Sequence, residues 1–308
     1  MDTEKLKDLI SKARPNAKET TIKMYVSNLN KLMKIFETDD LNFLKDIDKV
    51  KNKLEDKHYT TQRNYYNSII VYLMSKDKAT EQIEKYNEVR DELNKKYTDQ
   101  QSSGVISEKQ KQSFIPLSEL KTMIESIRKD LNIPQLKKKE MSSKEYKLLQ
   151  VYVILEILVR IPMRNDLSNL LKISKRDYNK LTDKQKEDNN YLVIEKTSLQ
   201  FIMNDYKTSK KYKEKVINVP KDLEKILRMY MKKNGSSENL FPISRNAMSQ
   251  ALIKTSKKYL DKSISTTMIR KIVASDLLGD VKKAEKELSN KMGTDIETIK
   301  SVYVKTED

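Results

Sequence analysis

"YLVIEKTSLQFIMNDYKTSKKYKEKVINVP" spans residues 191–220 and carries the clearest β signal in the chain. Three runs, 191–196, 200–206 and 213–220, are rich in Val, Ile, Tyr and Phe and are separated by short polar connections. That is the pattern of consecutive antiparallel strands. The second connection, KTSKKY, places Lys207, Lys210 and Lys211 at a cationic hairpin tip. Everything around this element has helical periodicity. The expected fold is therefore mostly α, with a small three-stranded antiparallel sheet set inside a helical domain.

Upstream lies "MSSKEYKLLQVYVILEILVRIP" (141–162), apolar around most of its circumference. A helix of that kind belongs at the centre of a core. Pro162 ends or bends it just before Arg164. Downstream, helices are expected over 222–233, 244–260, 266–278 and 281–292, followed by a short terminal helix in which Ile296, Ile299 and Val302 share one face. At the other end, "ETTIKMYVSNLNKLMKIF" (19–36) repeats apolar residues with a period near 3.6, through Ile22, Tyr25, Val26, Leu29, Leu32, Met33 and Phe36. With "HYTTQRNYYNSIIVYLMS" (58–75) and its flanking segments, this predicts a compact helical bundle over 1–97. Residues 98–113 are Ser- and Gln-rich and read as a linker. A second domain is expected over 114–308.

Composition narrows the chemistry. The 308 residues carry 62 Lys and Arg against 45 Asp and Glu, a net charge of +17 that favours a polyanionic partner. There is no Cys and a single His, His58, which leaves no thiol nucleophile and no Cys- or His-cluster metal site. The four Gly lack the spacing of a phosphate-binding loop or a dinucleotide fingerprint. No apolar run approaches the ~18 residues of a membrane span, and the opening MDTEKLKDLISKARP lacks the apolar core of a signal peptide. A soluble, intracellular protein without metal or cofactor is expected, whose catalysis would rest on Arg, Lys, Tyr, Ser, Thr and carboxylates.

Four such residues stand in order: Arg164 after the apolar helix, Lys207 at the hairpin tip, Arg270 in "STTMIRKIVASDLL", and Tyr303 in "KMGTDIETIKSVY". This order resembles the catalytic domain of the tyrosine recombinases, the phage-type integrase family. The "YKTSKKYKEKVINVP" hairpin, the "NLFPIS" segment and the nine-residue spacing from Thr294 to Tyr303 add to the resemblance. The helices opening with "ETTIKMYVSNLNKLMKIF" look like the family's core-binding domain. The resemblance implies that Arg164 and Arg270 clamp a phosphodiester, that Lys207 protonates the leaving 5′-oxygen, and that Tyr303 forms a 3′-phosphotyrosyl bond. It also implies double-stranded DNA as partner and a homotetramer assembled on it.

Two residues depart from the family. Thr267 stands at the His of the His-x-x-Arg motif, and Thr294 at the His or Trp after Gly293. Each hydroxyl can donate a hydrogen bond to phosphate but neither is a useful base. The phenol would then depend on the two arginines to lower its pKa, with water or Asp166 taking the proton. Arg160 is an alternative to Arg164. In the N-terminal region Thr60, Thr61, Arg63 and Asn64, with Lys210 and Lys211 of the hairpin, are candidate DNA contacts. Two other readings share these features: a type IB topoisomerase, and a DNA-binding protein that has lost catalysis.

Overall fold

The computed structural model describes residues 2–76, 79–133 and 140–303. The chain divides into two compact units, Met1–Ile106 and Ser107–Asp308.

The first unit is all helical: α1 (Thr3–Ala13), α2 (Glu19–Ile35), a 3₁₀ turn (Asn42–Lys45), α3 (Ile47–Leu54), α4 (Tyr59–Met74) and α5 (Thr80–Ser103). The stripe on α2 buries Ile22, Val26, Leu29, Leu32 and Met33. Helix α4 sits at the centre, with Tyr65, Tyr66 and Ser68 through Leu73 all buried. Ser68 is buried because its hydroxyl is satisfied. It donates to the Asn64 carbonyl at 2.8 Å and accepts from Asn28 Nδ2 at 3.0 Å, which ties α2 to α4. The stretch 98–113, expected as a linker, is helical over much of its length. Helix α5 continues to Ser103, where Gly104 ends it at φ 70°, and a short α6 spans Glu108–Lys111.

The second unit continues with α7 (Leu117–Leu131), α8 (Ser143–Arg160), a 3₁₀ turn (Leu167–Asn169), β1 (Leu170–Ser174), α9 (Lys175–Tyr178), α10 (Asp183–Glu187), β2 (Asn190–Ile194), β3 (Leu199–Met203), α11 (Ser209–Tyr212), β4 (Lys215–Asn218), α12 (Lys221–Lys233), α13 (Arg245–Leu260), α14 (Thr266–Met292), α15 (Ile296–Thr298) and a π turn (Ile299–Tyr303). Every residue from Leu149 to Leu158 in α8 is buried, as its apolar circumference requires. Its start is fixed by a capping box between Ser142 and Glu145.

The sheet corrects the expectation of three antiparallel strands. It has four strands in the order β1-β2-β3-β4, and it is mixed. β2, β3 and β4 form the expected antiparallel meander, with Phe201 opposite Leu192 on one side and Ile217 on the other. β1 adds a parallel edge, Leu170 pairing with Asn190 and Ser174 with Ile194. Its five residues, LLKIS, run directly into α9 without a turn signal, so the short apolar run reads as easily as the end of a helix. A second correction concerns α14. Helices expected separately over 266–278 and 281–292 form one continuous helix through Gly279.

Candidate functional site

Buried Leu158 and the carbonyl of Ile157 hold the end of α8, and two tight turns follow. The Met163 amide donates to the Ile161 carbonyl at 2.6 Å and the Asp166 amide to the Arg164 carbonyl at 2.7 Å. These turns present Arg164, Asn165 and Asp166 as a ridge beside the first turns of α13 and α14. Arg164 Nη1 donates to Thr208 Oγ1 at 3.3 Å, so the segment carrying Lys207 is held against it. Arg270 Nε donates to the Pro162 carbonyl at 2.9 Å. Residues more than a hundred positions apart in sequence thus meet at one ridge. Lys207 itself is exposed, as are Lys210 and Lys211 on α11.

Asp166 lies at the middle of this group. It is buried, its Oδ1 accepts from Arg245 Nη2 at 2.8 Å, and it feels the positive charge of Arg245, Arg164 and Arg270. Burial nevertheless pushes its carboxyl above the ordinary aspartate value, and the three arginines only partly offset this. Asn165 reinforces the arrangement, its Nδ2 donating to the Arg245 carbonyl at 2.9 Å and to Ser249 Oγ at 3.0 Å. The positive charges of Arg245, Arg164 and Arg270 outnumber the carboxylates of Asp166 and Asp205 that act at this position. Such a centre suits the non-bridging oxygens of a phosphodiester.

Arg160, the alternative to Arg164, is held elsewhere. It pairs with Glu156, and its Nε donates to Asp222 at 2.7 Å. Its role is to fasten α8 to α12. Arg245 was not singled out from sequence. The signal available was Ser244, which caps α13 immediately after the LFPI segment and so fixes the direction of the next side chain.

Thr267 is exposed in the first turn of α14, three residues before Arg270 and on the same helical face. Thr294 is not in the group. It lies past the far end of α14, about 33 Å along the axis from Arg270 at 1.5 Å per residue. There its hydroxyl donates to the Met292 carbonyl at 3.2 Å. Tyr303 is also apart. Among the described residues of the terminal segment only Ile299 is buried, and Val302 and Tyr303 are 53% and 60% exposed. Lys300 pairs with Glu285 at 2.6 Å, which docks this segment against the outer half of α14. Glu285 is about 22 Å beyond Arg270 along that helix. Asp166 therefore faces Arg245 rather than the phenol, contrary to its expected use as a proton acceptor.

In the first unit, Thr60 and Thr61 lie in the first turn of α4, with Thr60 Oγ1 2.9 Å from the His58 ring. Asn64 is exposed. Arg63 is stacked over the Tyr97 ring at 4.1 Å, and its Nε is buried without a partner, so this side chain is committed to packing at its base. Among the described residues, no group of three or more His, Asp or Glu side chains is placed to hold a metal ion. No helix among them is long and apolar enough to cross a membrane.

No protein-family model matches the sequence, and a search of curated proteins finds no match. Among solved structures, a crystal structure of XerA recombinase aligns over 100% of this chain and 95% of its own, with 13% identity and a TM-score of 0.34. A likeness at that level fixes neither fold nor function.

Proposed function

We propose that this protein binds double-stranded DNA and cleaves and rejoins it as a site-specific recombinase, through a covalent 3′-phosphotyrosine at Tyr303. The observation that supports the reading is the meeting of Arg164, Arg270 and the Lys207–Thr208 segment around one ridge. In this scheme the two guanidiniums hold the non-bridging oxygens of the scissile phosphate, and Thr267 donates one further hydrogen bond. The Tyr303 phenol oxygen attacks phosphorus as its proton passes to water. The bond from phosphorus to the 5′-oxygen breaks, and Lys207 gives that oxygen a proton. A 5′-hydroxyl from another strand then attacks the phosphotyrosine, restoring the diester and freeing the phenol. The bond energy is conserved, so the cycle balances without ATP. The protein would work inside the cell, as a homotetramer on DNA, with Thr60, Thr61, Asn64, Lys210 and Lys211 touching the duplex backbone.

Tyr303 must reach the cluster for this to occur. Only the first part of α14, through Val273, has buried residues. Beyond it the helix runs as an arm whose Leu277, Leu278, Val281, Leu288 and Met292 are exposed. Gly279 lies within this arm, and a bend there would fold the terminal segment back toward Arg270 while covering part of the apolar face.

A duplex nicked next to the cleavage site tests the reading, because loss of the small 5′ fragment traps the covalent complex. Wild type should accumulate an adduct that Tyr303→Phe cannot form. Arg164→Gln should lower its rate by roughly 10²–10³, the usual cost of one charged donor at a reacting oxyanion. The exposed position of Tyr303 favours a second reading, DNA binding without cleavage. Retained duplex affinity with no adduct would establish that alternative. Relaxation of supercoiled DNA without joining of two sites would instead indicate a topoisomerase.

A further inference from the structure

We propose that Arg245 is a third phosphate-contacting cation of this cluster and that Asp166 is the residue that positions it. The inference rests on the reading of the cluster as a phosphodiester site, and extends it to a residue outside the four-residue set.

Arg245 is held at both ends by the two residues that follow Arg164. Asn165 fixes its backbone carbonyl, and Asp166 fixes its guanidinium. Its placement is therefore coupled to that of Arg164. The Arg245 side chain is nevertheless 58% exposed. A guanidinium has five N–H donors, and the hydrogen bond described for this one goes to Asp166 alone. With the side chain more than half exposed, the remaining donors are open to solvent. Arg228 makes the contrast: its guanidinium is spread over the Glu224 carboxylate and the carbonyls of Glu195 and Ser198, the pattern of a purely structural arginine.

The buried Asp166 carboxylate pairs directly with Arg245 and also feels the charges of Arg164 and Arg270. Burying a carboxylate is costly, and a half-exposed ion pair returns little stability. The arrangement gains its value when an anion joins it. A phosphodiester set against the ridge would take up the free donors of all three arginines, with Asp166 left on the protein side to hold Arg245 in place.

The affinity for a short duplex, measured as a function of salt, provides the test. Each phosphate contact contributes about 0.9 to the slope of log K against log salt. Arg245→Gln should lower the slope by about that amount, as should Arg164→Gln and Arg270→Gln measured beside it. Asp166→Asn retains the three cations and should retain the slope, but should lower the rate of adduct formation at saturating DNA, because Arg245 is no longer held. A merely structural pair would lower the melting temperature of Arg245→Gln and leave its slope unchanged. If the Arg164 and Arg270 variants lower the slope and Arg245→Gln does not, this inference fails alone. If none of the three lowers it, the phosphodiester reading fails as well. Modification of the wild-type protein by phenylglyoxal, followed by peptide mass spectrometry, avoids any folding defect of the variants. Duplex should protect Arg245 together with Arg164 and Arg270, and an Arg245 modified equally with and without duplex would overturn the proposal.

Discussion

Gly279→Ala should stabilise the protein and slow its reaction with DNA. The residue lies in the middle of a continuous helix, and a Cβ added there meets nothing within 4 Å. Alanine therefore brings its helix propensity without a clash, about 0.8–1.0 kcal/mol in favour of the straight arm. The bent arm has to undo roughly one turn, about four hydrogen bonds at a net ~1 kcal/mol each. Covering the exposed parts of Leu277, Leu278 and Val281 returns about 1–1.5 kcal/mol apiece. The two conformations are then nearly balanced, and a shift of about 1 kcal/mol is felt in full. It corresponds to roughly a fivefold fall in the bent-to-straight ratio, which from an even balance is about a threefold loss of the bent population and of the single-turnover adduct rate. The geometry agrees with a bend at this point. Gly279 is about 13 Å beyond Arg270 along the axis, and the arm that follows is long enough to return that distance. Adduct formation should be followed on the nicked duplex at saturating protein, with melting measured in parallel. A variant that melts higher but reacts at the wild-type rate would refute delivery of Tyr303 by bending at residue 279.

Further outcomes concern the core and the buried acid. Leu158→Ala removes a fully buried side chain next to the turns that present Arg164, and chemical denaturation should show a loss of about 2–5 kcal/mol. An unchanged midpoint would mean that this end of α8 is not packed as described. Asp166 has its carboxyl raised by burial against the opposing pull of Arg245, Arg164 and Arg270, with Asp205 adding to the rise. Its favourable contribution to folding is complete below the unfolded aspartate value of about 3.9 and is lost as pH rises through the higher folded value. Relative to wild type, Asp166→Asn should therefore gain stability as pH increases through that window. Urea denaturation of both proteins across the range checks this, and a constant difference would contradict it.

Much of this architecture is legible in the sequence because burial imposes periodicity. The stripe from Ile22 to Met33, the all-round apolar α8 and the short apolar runs of β2 and β3 each have one comfortable arrangement. What escapes is decided by tertiary contact. β1 is a strand because β2 offers it a parallel edge, and LLKIS alone carries no such instruction. The continuity of α14 through Gly279 is a balance of about 1 kcal/mol in propensity, too small for a local pattern to settle. In the candidate site, Arg164 and Arg270 stand out in the sequence through their order with Lys207 and Tyr303. Arg245 does not stand out, because the contacts that place it come from Asn165 and Asp166, about eighty residues away. The position of Tyr303 depends on the course of the whole arm, which residue spacing does not specify.

The central claim is that a tyrosine near the end of the chain becomes covalently joined to DNA at a phosphate held by the arginine cluster. Tryptic digestion of the adduct trapped on a nicked duplex tests it most directly. The account predicts that the nucleotide-bearing peptide is SVYVK, residues 301–305, which contains Tyr303. It also predicts that the peptide disappears from Arg270→Gln while that variant still binds duplex. A nucleotide on any other tyrosine, or no covalent product from a protein that binds the duplex tightly, would contradict it.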